Sequence, residues 1–213
     1  MRIGIIGSGD VGRALGRGFA ARGHDVKLGT RDPGAEKIQD WLANAVGNAT
    51  AGTFAEAAEF GELLVLATLW EGTENAIQLA GKESFAGKVL FDATNPLDFS
   101  RGVPPTLAVS GDDSGGERIQ RWLPDAKVVK AFNTVSNVQM VEPHLPGGPP
   151  DMFICGEDAE AKQTVTELAN SLGWPVIDLG GIANARYLES MAMVFIVHAF
   201  NTGNWNIAFK LLR

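Results

Sequence analysis

The chain has 213 residues, 45% of them apolar and 20% charged, which is long enough to bury one sizeable core and too apolar for a disordered protein. Its formal net charge of −7 argues against a nucleic-acid-binding protein, whose electrostatic footprint is basic. The single cysteine, Cys155, excludes an internal disulfide and offers no cysteine cluster for a metal. We find no export signal and no apolar run of membrane-spanning length, and therefore expect a cytoplasmic protein without membrane contact.

From residue 2 to residue 134, short apolar runs alternate with amphipathic stretches. This pattern predicts βαβ units and a parallel sheet covered by helices on both faces. The predicted strands are 2–7, 25–30, 49–53, 63–68, 88–94 and 127–134. The predicted helices are 11–22, 34–46, a short one ending at Phe60, about 74–81 and about 117–122.

The composition changes after Val135. Residues 144–151 (HLPGGPPD) predict a loop by their Pro and Gly content. The rest of the chain predicts strands at 151–156 and 175–181 and helices at 159–172, 184–200 and 205–212. We therefore expect a doubly wound α/β fold with a helical C-terminus.

The segment GSGDVG (7–12) has the spacing G-x-G-x-x-G, directly after a predicted strand and at the start of a predicted helix. Here Gly7 permits a tight turn, Gly9 leaves room for a pyrophosphate beside the backbone, and Gly12 lets the helix pack closely on the sheet. The N–H groups and dipole of the helix N-terminus would hold the diphosphate. We expect Asp10 to cap this helix, with its backbone N–H rather than its carboxylate near the ligand. The alternative is the same tightly packed turn without a ligand.

The second predicted strand ends at Thr30 and Arg31, where a dinucleotide-binding fold places the adenosine ribose. Enzymes that use NAD carry Asp or Glu here, whereas enzymes that use NADP need a cation for the 2′-phosphate. A hydroxyl beside a guanidinium suits a phosphate monoester, because the guanidinium can donate two parallel hydrogen bonds. Lys37 would add a second positive charge. The sequence thus predicts NADP(H); the alternative is a surface Arg31 paired with Asp32 or Glu36.

Three segments together resemble the family of NADP oxidoreductases that depend on the deazaflavin coenzyme F420, and the resemblance extends through almost the whole chain. They are MRIGIIGSGDVGRALGRGFAARGHDVKLGTRD, VVKAFNT and GGIANARYLESMAMVFIVHAFN. The more specific features of this resemblance are the Thr–Arg pair, Trp70 in ATLWEG and the segment from Asn184 to Ser190. KAFNTVS and MFICG are also similar to the NADPH-binding domain of metalloreductases that pass electrons through flavin to ferric iron. Because DATNPL and KAFNTVSN differ from the deazaflavin enzymes, the hydride acceptor stays open.

The resemblance implies a Rossmann-type NADP-binding domain over residues 1–140. It implies a smaller C-terminal α/β segment over 141–213 that completes a second-cofactor pocket and a homodimer interface. The implied partner is a small-molecule redox co-substrate, a deazaflavin or a flavin. The implied diphosphate contacts are Ser8, Gly9, Asp10 and Val11, and those of the 2′-phosphate are Thr30, Arg31 and Lys37. Leu69 and Trp70 would cover the adenosine-to-ribose stretch, although Trp70 is equally well explained as a core aromatic. The implied nicotinamide contacts are Asn95, Pro96, Ala131, Asn133 and Asn137.

No acid–base pair stands out in the sequence. His24 lies in a predicted turn, His144 in a loop and His198 in an apolar helix, so we assign no catalytic and no metal-ligating residue. Hydride transfer between a nicotinamide and a flavin-like ring needs alignment rather than a strong base, because the cofactors carry the chemistry. The sequence therefore predicts this reaction. The alternatives are an NADPH-dependent reductase of a small imine, carbonyl or ferric chelate, and an NADPH-sensing protein without turnover.

Overall fold

An eight-stranded, mainly parallel sheet forms the centre of the protein in the computed structural model, which describes residues 1–212. Along the chain the strands are β1 (Arg2–Ile6), β2 (Asp25–Gly29), β3 (Ala49–Gly52), β4 (Leu63–Leu66), β5 (Val89–Asp92), β6 (Leu97–Asp98), β7 (Thr106–Leu107), β8 (Lys127–Lys130), β9 (Met152–Gly156) and β10 (Val176–Asp178). The large sheet has the order β10-β9-β8-β5-β4-β1-β2-β3, and β6 and β7 form a separate antiparallel hairpin. Within the large sheet β8 and β9 are antiparallel and the other neighbours are parallel.

The helices cover both faces of this sheet. They are α1 (Asp10–Ala21), α2 (Glu36–Ala43), α3 (Phe54–Phe60), α4 (Trp70–Ala80), α5 (Gly115–Trp122), α6 (Ala159–Ser171) and α7 (Ala185–Thr202). Alternate side chains of a strand point to opposite faces, and β4 shows the result. Leu63 and Val65 belong to the core cluster under α1, α2 and α6, whereas Leu64 and Leu66 belong to the cluster under α3, α4, α5 and α7. Strands buried on both faces explain the continuous apolar runs of the sequence.

The strand order places a crevice at one edge of the sheet. β1 pairs with β2 on one side and with β4 on the other, so the connections leaving β1 and β3 run in opposite directions. Ligands of open parallel sheets bind at such a switch point, beyond the carboxyl ends of the strands. The residues that follow β1, β2, β4, β5 and β8 therefore surround one crevice.

One predicted strand is too long, and one predicted helix is wrong. The strand predicted over 127–134 ends at Lys130, because the backbone turns at Phe132, which has a φ of 60°. The helix predicted over 205–212 is absent; this segment runs without regular structure along the start of β9, where the Asp151 N–H donates to the Phe209 carbonyl at 2.9 Å. Gly203, in the left-handed conformation, ends α7 before this tail.

Smaller differences concern boundaries. Helix α4 begins at Trp70 and not near residue 74, and the β6–β7 hairpin was not predicted. β9 and β10 continue the same sheet beyond β8, so residues 1–140 and the predicted C-terminal segment 141–213 both contribute strands to one sheet. None of the helices within residues 1–212 is both long enough and apolar enough to cross a membrane.

Candidate dinucleotide-binding site

The turn after β1 has one open glycine between two tightly packed ones. A Cβ on Gly7, whose φ is 127°, would lie 2.3 Å from the Ala67 carbonyl oxygen, and a Cβ on Gly12 would lie 2.0 Å from the Gly7 carbonyl oxygen. A Cβ on Gly9 would meet no atom of the described chain within 4 Å. Packing therefore requires Gly7 and Gly12, whereas the space beside Gly9 is free for a ligand.

The N-terminus of α1 faces this space without a side-chain cap. Gly9 is the N-cap residue, and no side chain of the described residues accepts a hydrogen bond there. Asp10 is not the cap that we expected, because it is the first residue of the helix and its exposed carboxylate pairs with Arg13. The N-termini of α3, α5 and α6 are capped by Thr53, Ser114 and Asp158, whereas those of α2, α4 and α7, like that of α1, have no side-chain cap among the described residues. The uncapped N–H groups of α1 suit an anion such as a diphosphate.

Thr30 joins the glycine turn to the end of β2. Its buried Oγ1 accepts a hydrogen bond from Ser8 Oγ at 3.0 Å. The next residue, Arg31, is exposed, as is Lys37 in the first turn of α2, and neither forms an ion pair within residues 1–212. Asp32, a possible partner of Arg31, instead accepts from the Gly34 N–H at 3.0 Å. The structure therefore does not contain the alternative pairs of Arg31, and its guanidinium is free to meet an anion.

Asn95 and Asn133 lie together beyond the ends of β5 and β8. Asn133 Nδ2 donates to Asn95 Oδ1 at 2.9 Å and to the Leu188 carbonyl of α7 at 3.0 Å, while Asn95 Nδ2 donates to the Asn133 carbonyl at 2.7 Å. Asn133 is 2% exposed, and its Oδ1 accepts no hydrogen bond from any described residue. A buried acceptor without a donor is costly, and a water or a ligand amide that reached this atom would remove the cost.

The other predicted contacts are spread around this crevice. Ala131 and Pro96 are buried, and Val11 is half-buried in the first turn of α1. Leu69 is 77% exposed, whereas Trp70 stacks on Trp122 with ring centroids 5.6 Å apart, which supports the core-aromatic interpretation of Trp70. Asn137 lines a separate cavity of about 340 Å³ with residues of α1, among them Ala14 and Arg17. The structure thus groups Asn95, Pro96, Ala131 and Asn133, and its placement of Asn137 gives no support to a nicotinamide contact.

Below the asparagine pair lies a cluster of buried charges that we did not predict. Lys130 is fully buried; its Nζ lies 2.7 Å from Asp92 Oδ2 and 3.1 Å from Glu189 Oε1, and donates to the Thr94 carbonyl at 2.8 Å. Burial opposes the charge of Lys130, but the two carboxylates outweigh burial and raise the pKa of this ammonium group. Burial also raises the pKa of Glu189, against the opposing effects of Lys130 and of the Gly115 and Gly116 N–H groups.

The sequence contains a signal for this cluster of buried charges. Lysine is almost never fully buried without a partner, and Lys130 lies in a strand predicted to be covered on both faces. Such a lysine requires carboxylates nearby; Asp92 ends the apolar run VLFD, and Glu189 lies just before the apolar run 191–197. Among residues 1–212, no group of three or more His, Cys, Asp or Glu could hold a metal ion.

Comparisons with known proteins agree with this geometry. The family model described as "NADP oxidoreductase coenzyme F420-dependent" matches residues 2–96. The F420-dependent NADP reductase of Methanothermobacter marburgensis is 32% identical over 206 residues, which cover 92% of this chain and 91% of that protein. The metalloreductase STEAP3 of Rattus norvegicus is also 32% identical, over 196 residues that cover 90% of this chain. The chain spans only 36% of the length of that metalloreductase.

A solved structure is also similar to this chain over its whole length. A crystal structure from Arthrobacter sp. FB24, provisionally assigned as an F420-dependent NADP reductase, is 43% identical to this chain. The match covers 100% of both chains with a TM-score of 0.94. It confirms the predicted Rossmann-type α/β fold.

Proposed function

Because the chain belongs to the family of F420-dependent NADP reductases, we propose that it transfers a hydride between NADP(H) and a deazaflavin of the F420 type. The protein is an NADP-dependent oxidoreductase. The proposal concerns its acceptor and the residues that hold the cofactor. The observation that carries the cofactor site is the open space beside Gly9 at the uncapped N-terminus of α1.

The N-terminal half of the site suits the phosphates of NADP(H). The N–H groups at the start of α1 bind the diphosphate, which approaches the backbone at Gly9 because no side chain fills that space. Arg31 binds the 2′-phosphate, with Thr30 and Lys37 beside it. Ser8 and Thr30 are hydrogen-bonded to each other, so the two phosphate sites are held at a fixed distance.

The nicotinamide end suits an amide rather than an acid or base. When bound, the nicotinamide supplies the hydride donor or acceptor carbon. Asn133 Oδ1 accepts a hydrogen bond from the carboxamide, and Asn95 holds the Asn133 side chain in place. An amide orients a ligand but cannot exchange protons near neutral pH. The chain therefore aligns two rings for direct hydride transfer and excludes water, which needs no proton donor.

The C-terminal segment belongs to the same proposal. Helix α7 supplies the Leu188 carbonyl and the Glu189 carboxylate to the nicotinamide end, and its outer face exposes Tyr187 and Val194. We assign to this segment one wall of the acceptor pocket and the interface of a cytoplasmic homodimer.

The acceptor is tested by following NADPH oxidation with the purified protein and a panel of coenzyme F420, FMN, ferric citrate and a cyclic imine. We expect steady turnover with F420, and kcat/KM at least about tenfold lower with the others, a difference of about 1.4 kcal/mol in transition-state binding. Gly9→Val is the matched control, because it blocks the diphosphate site and should abolish turnover with every acceptor. Turnover that survives this change would place the reaction at another site.

A second candidate is ferric-chelate reduction through a bound flavin. The 32% identity with STEAP3 over 90% of this chain favours it. In that case ferric citrate would be reduced only when FMN or FAD is added, and F420 would not be consumed.

A further inference from the structure

The buried charges of Lys130, Asp92 and Glu189 lie directly below the asparagine pair. We propose that these three residues are positioning residues, which hold Asn95 and Asn133 so that Asn133 Oδ1 faces the carboxamide of the nicotinamide. This inference rests on the proposed function, since it assumes that the nicotinamide binds at Asn133.

The first link runs through Thr94, the residue before Asn95. Asp92 Oδ1 accepts hydrogen bonds from the Thr94 N–H at 2.9 Å and from Thr94 Oγ1 at 2.7 Å. Lys130 Nζ donates to the Thr94 carbonyl at 2.8 Å. Both backbone polar groups of Thr94 are thus held by buried charges, and the direction in which Asn95 leaves the sheet is fixed.

The second link runs through α7. Glu189 Oε2 accepts from the Gly115 N–H at 2.9 Å, and its Oε1 accepts from the Gly116 N–H at 3.0 Å and faces Lys130. These contacts tie α7 to the N-terminus of α5 and to the end of β8. The residue before Glu189, Leu188, offers its carbonyl to Asn133. The position of Glu189 therefore sets the position of one acceptor of the Asn133 amide group.

The two links determine how the Asn133 amide, whose Oδ1 is itself buried, is oriented. Both acceptors of its Nδ2, Asn95 Oδ1 and the Leu188 carbonyl, are oxygens. A flipped amide would place Oδ1 against the Leu188 carbonyl, and two acceptors repel each other. The charge cluster fixes the supports of both acceptors and so keeps Oδ1 directed away from them. Nothing in this arrangement touches the phosphate sites at Gly9 or Arg31.

The test is Glu189→Gln, measured with two probes. Each carboxylate oxygen of Glu189 faces a donor, so the glutamine NH2 must face either the Gly115 N–H or Lys130 and the Gly116 N–H, and α7 must shift. We expect the Kd of adenosine 2′,5′-bisphosphate, which lacks the nicotinamide, to change less than about twofold. The Kd of NADPH should rise about tenfold, as for one lost hydrogen bond. The fluorescence anisotropy of bound NADPH should fall, because its dihydronicotinamide ring is less restrained.

Two further variants separate positioning from general destabilisation. Cys155→Ala is the matched control, since Cys155 is fully buried and pairs with Lys130 across β8 and β9 but bonds to neither asparagine. It should lower the melting temperature without changing either Kd or the anisotropy. Thr94→Val removes only the Oγ1 bond to Asp92 and should weaken NADPH binding in the same direction as Glu189→Gln, by about threefold. If Glu189→Gln does not fold, Thr94→Val decides the question.

Equal losses for both probes, or an unchanged anisotropy in the folded variants, would overturn the positioning role. If the proposed function is wrong, the anisotropy measurement gives a different result. In that case the unmodified protein itself would bind NADPH without restraining the ring, and its anisotropy would not exceed that expected from binding at the adenosine end alone.

Discussion

Among single residues, we expect Arg31 to decide whether the protein prefers NADPH or NADH. Its guanidinium is exposed, lies next to the buried Thr30 and has no ion pair among the described residues. Arg31→Ala should weaken NADPH binding about tenfold to a hundredfold, the range for a charge-assisted hydrogen bond, and leave NADH binding nearly unchanged. Calorimetric titration with both nucleotides measures the difference, with Lys37→Ala as a comparison cation. Equal losses for the two nucleotides would mean that Arg31 has a structural role.

A second prediction at the scale of single residues concerns the three histidines. His24 directly precedes β2 at the opposite edge of the sheet from the crevice, His198 is exposed on α7, and the His144 ring contacts the Glu142 carbonyl. We expect kcat to vary only weakly between about pH 6 and 8, where a catalytic histidine would titrate. Changing each histidine to Gln should leave kcat within about tenfold, under about 1.4 kcal/mol of barrier. A steep limb of the pH–rate profile that disappears with one of these changes would favour a carbonyl or imine reductase instead.

The site residues that the sequence predicts lie close together in the chain, whereas the residues of the cluster that it does not predict lie far apart. Thr30 and Arg31 follow a strand at a fixed offset from the glycine turn, so local spacing alone identifies them. The cluster of Lys130, Asp92 and Glu189 unites two strands and a helix that are far apart in the chain. A buried lysine in the sequence predicts that partners exist, but only the order of the strands shows which acids they are.

At the scale of elements, we expect the glycine turn to separate dinucleotide binding from helix packing. Gly9→Val should abolish dinucleotide binding and leave the melting temperature nearly unchanged, because a Cβ there meets no atom of residues 1–212 within 4 Å and the φ of −72° suits any residue. Gly12→Val should destabilise the fold, because its Cβ would lie 2.0 Å from the Gly7 carbonyl oxygen. Circular dichroism melts and NADPH titrations of both variants measure the two effects. If Gly9→Val lowered the melting temperature as much as Gly12→Val, this division of roles would be wrong.

The elements that were mispredicted share one physical cause. The apolar pattern continues through Phe132 and through residues 205–212, so periodicity alone extends a strand and a helix there. In the structure, tertiary contacts determine the backbone conformation of both segments. Phe132 is fully buried against Phe91 and Trp174 at a positive φ. Ile207 and Phe209 of the C-terminal tail pack against α7. The strands and helices with an uninterrupted period over most of their length were predicted correctly, because each has one face or two to bury.

For the whole molecule we predict a homodimer through α7. This helix exposes Tyr187 and Val194 on the face away from the sheet, at 69% and 63% of their area, where an isolated chain gains nothing from apolar side chains. Light scattering at micromolar concentration should give twice the chain mass of 22.6 kDa. Val194→Glu should shift the dimer towards monomer, whereas Val103→Glu, at a 66% exposed position in the β6–β7 hairpin, should not. A monomeric unmodified protein contradicts the prediction.

The uncapped N-terminus of α1 has a consequence for how stable the protein is in different solutions. Because the N-cap is glycine, the missing side-chain cap costs the helix only about a few tenths of a kcal/mol, but an anion bound to the free N–H groups stabilises the folded protein by mass action. Stability then grows with the logarithm of the anion concentration once that concentration exceeds the dissociation constant. Sulfate or inorganic phosphate in a buffer would act as a weak substitute for the diphosphate of NADP(H). Melting temperatures measured in phosphate and in chloride buffers therefore refer to different ligation states of the same fold.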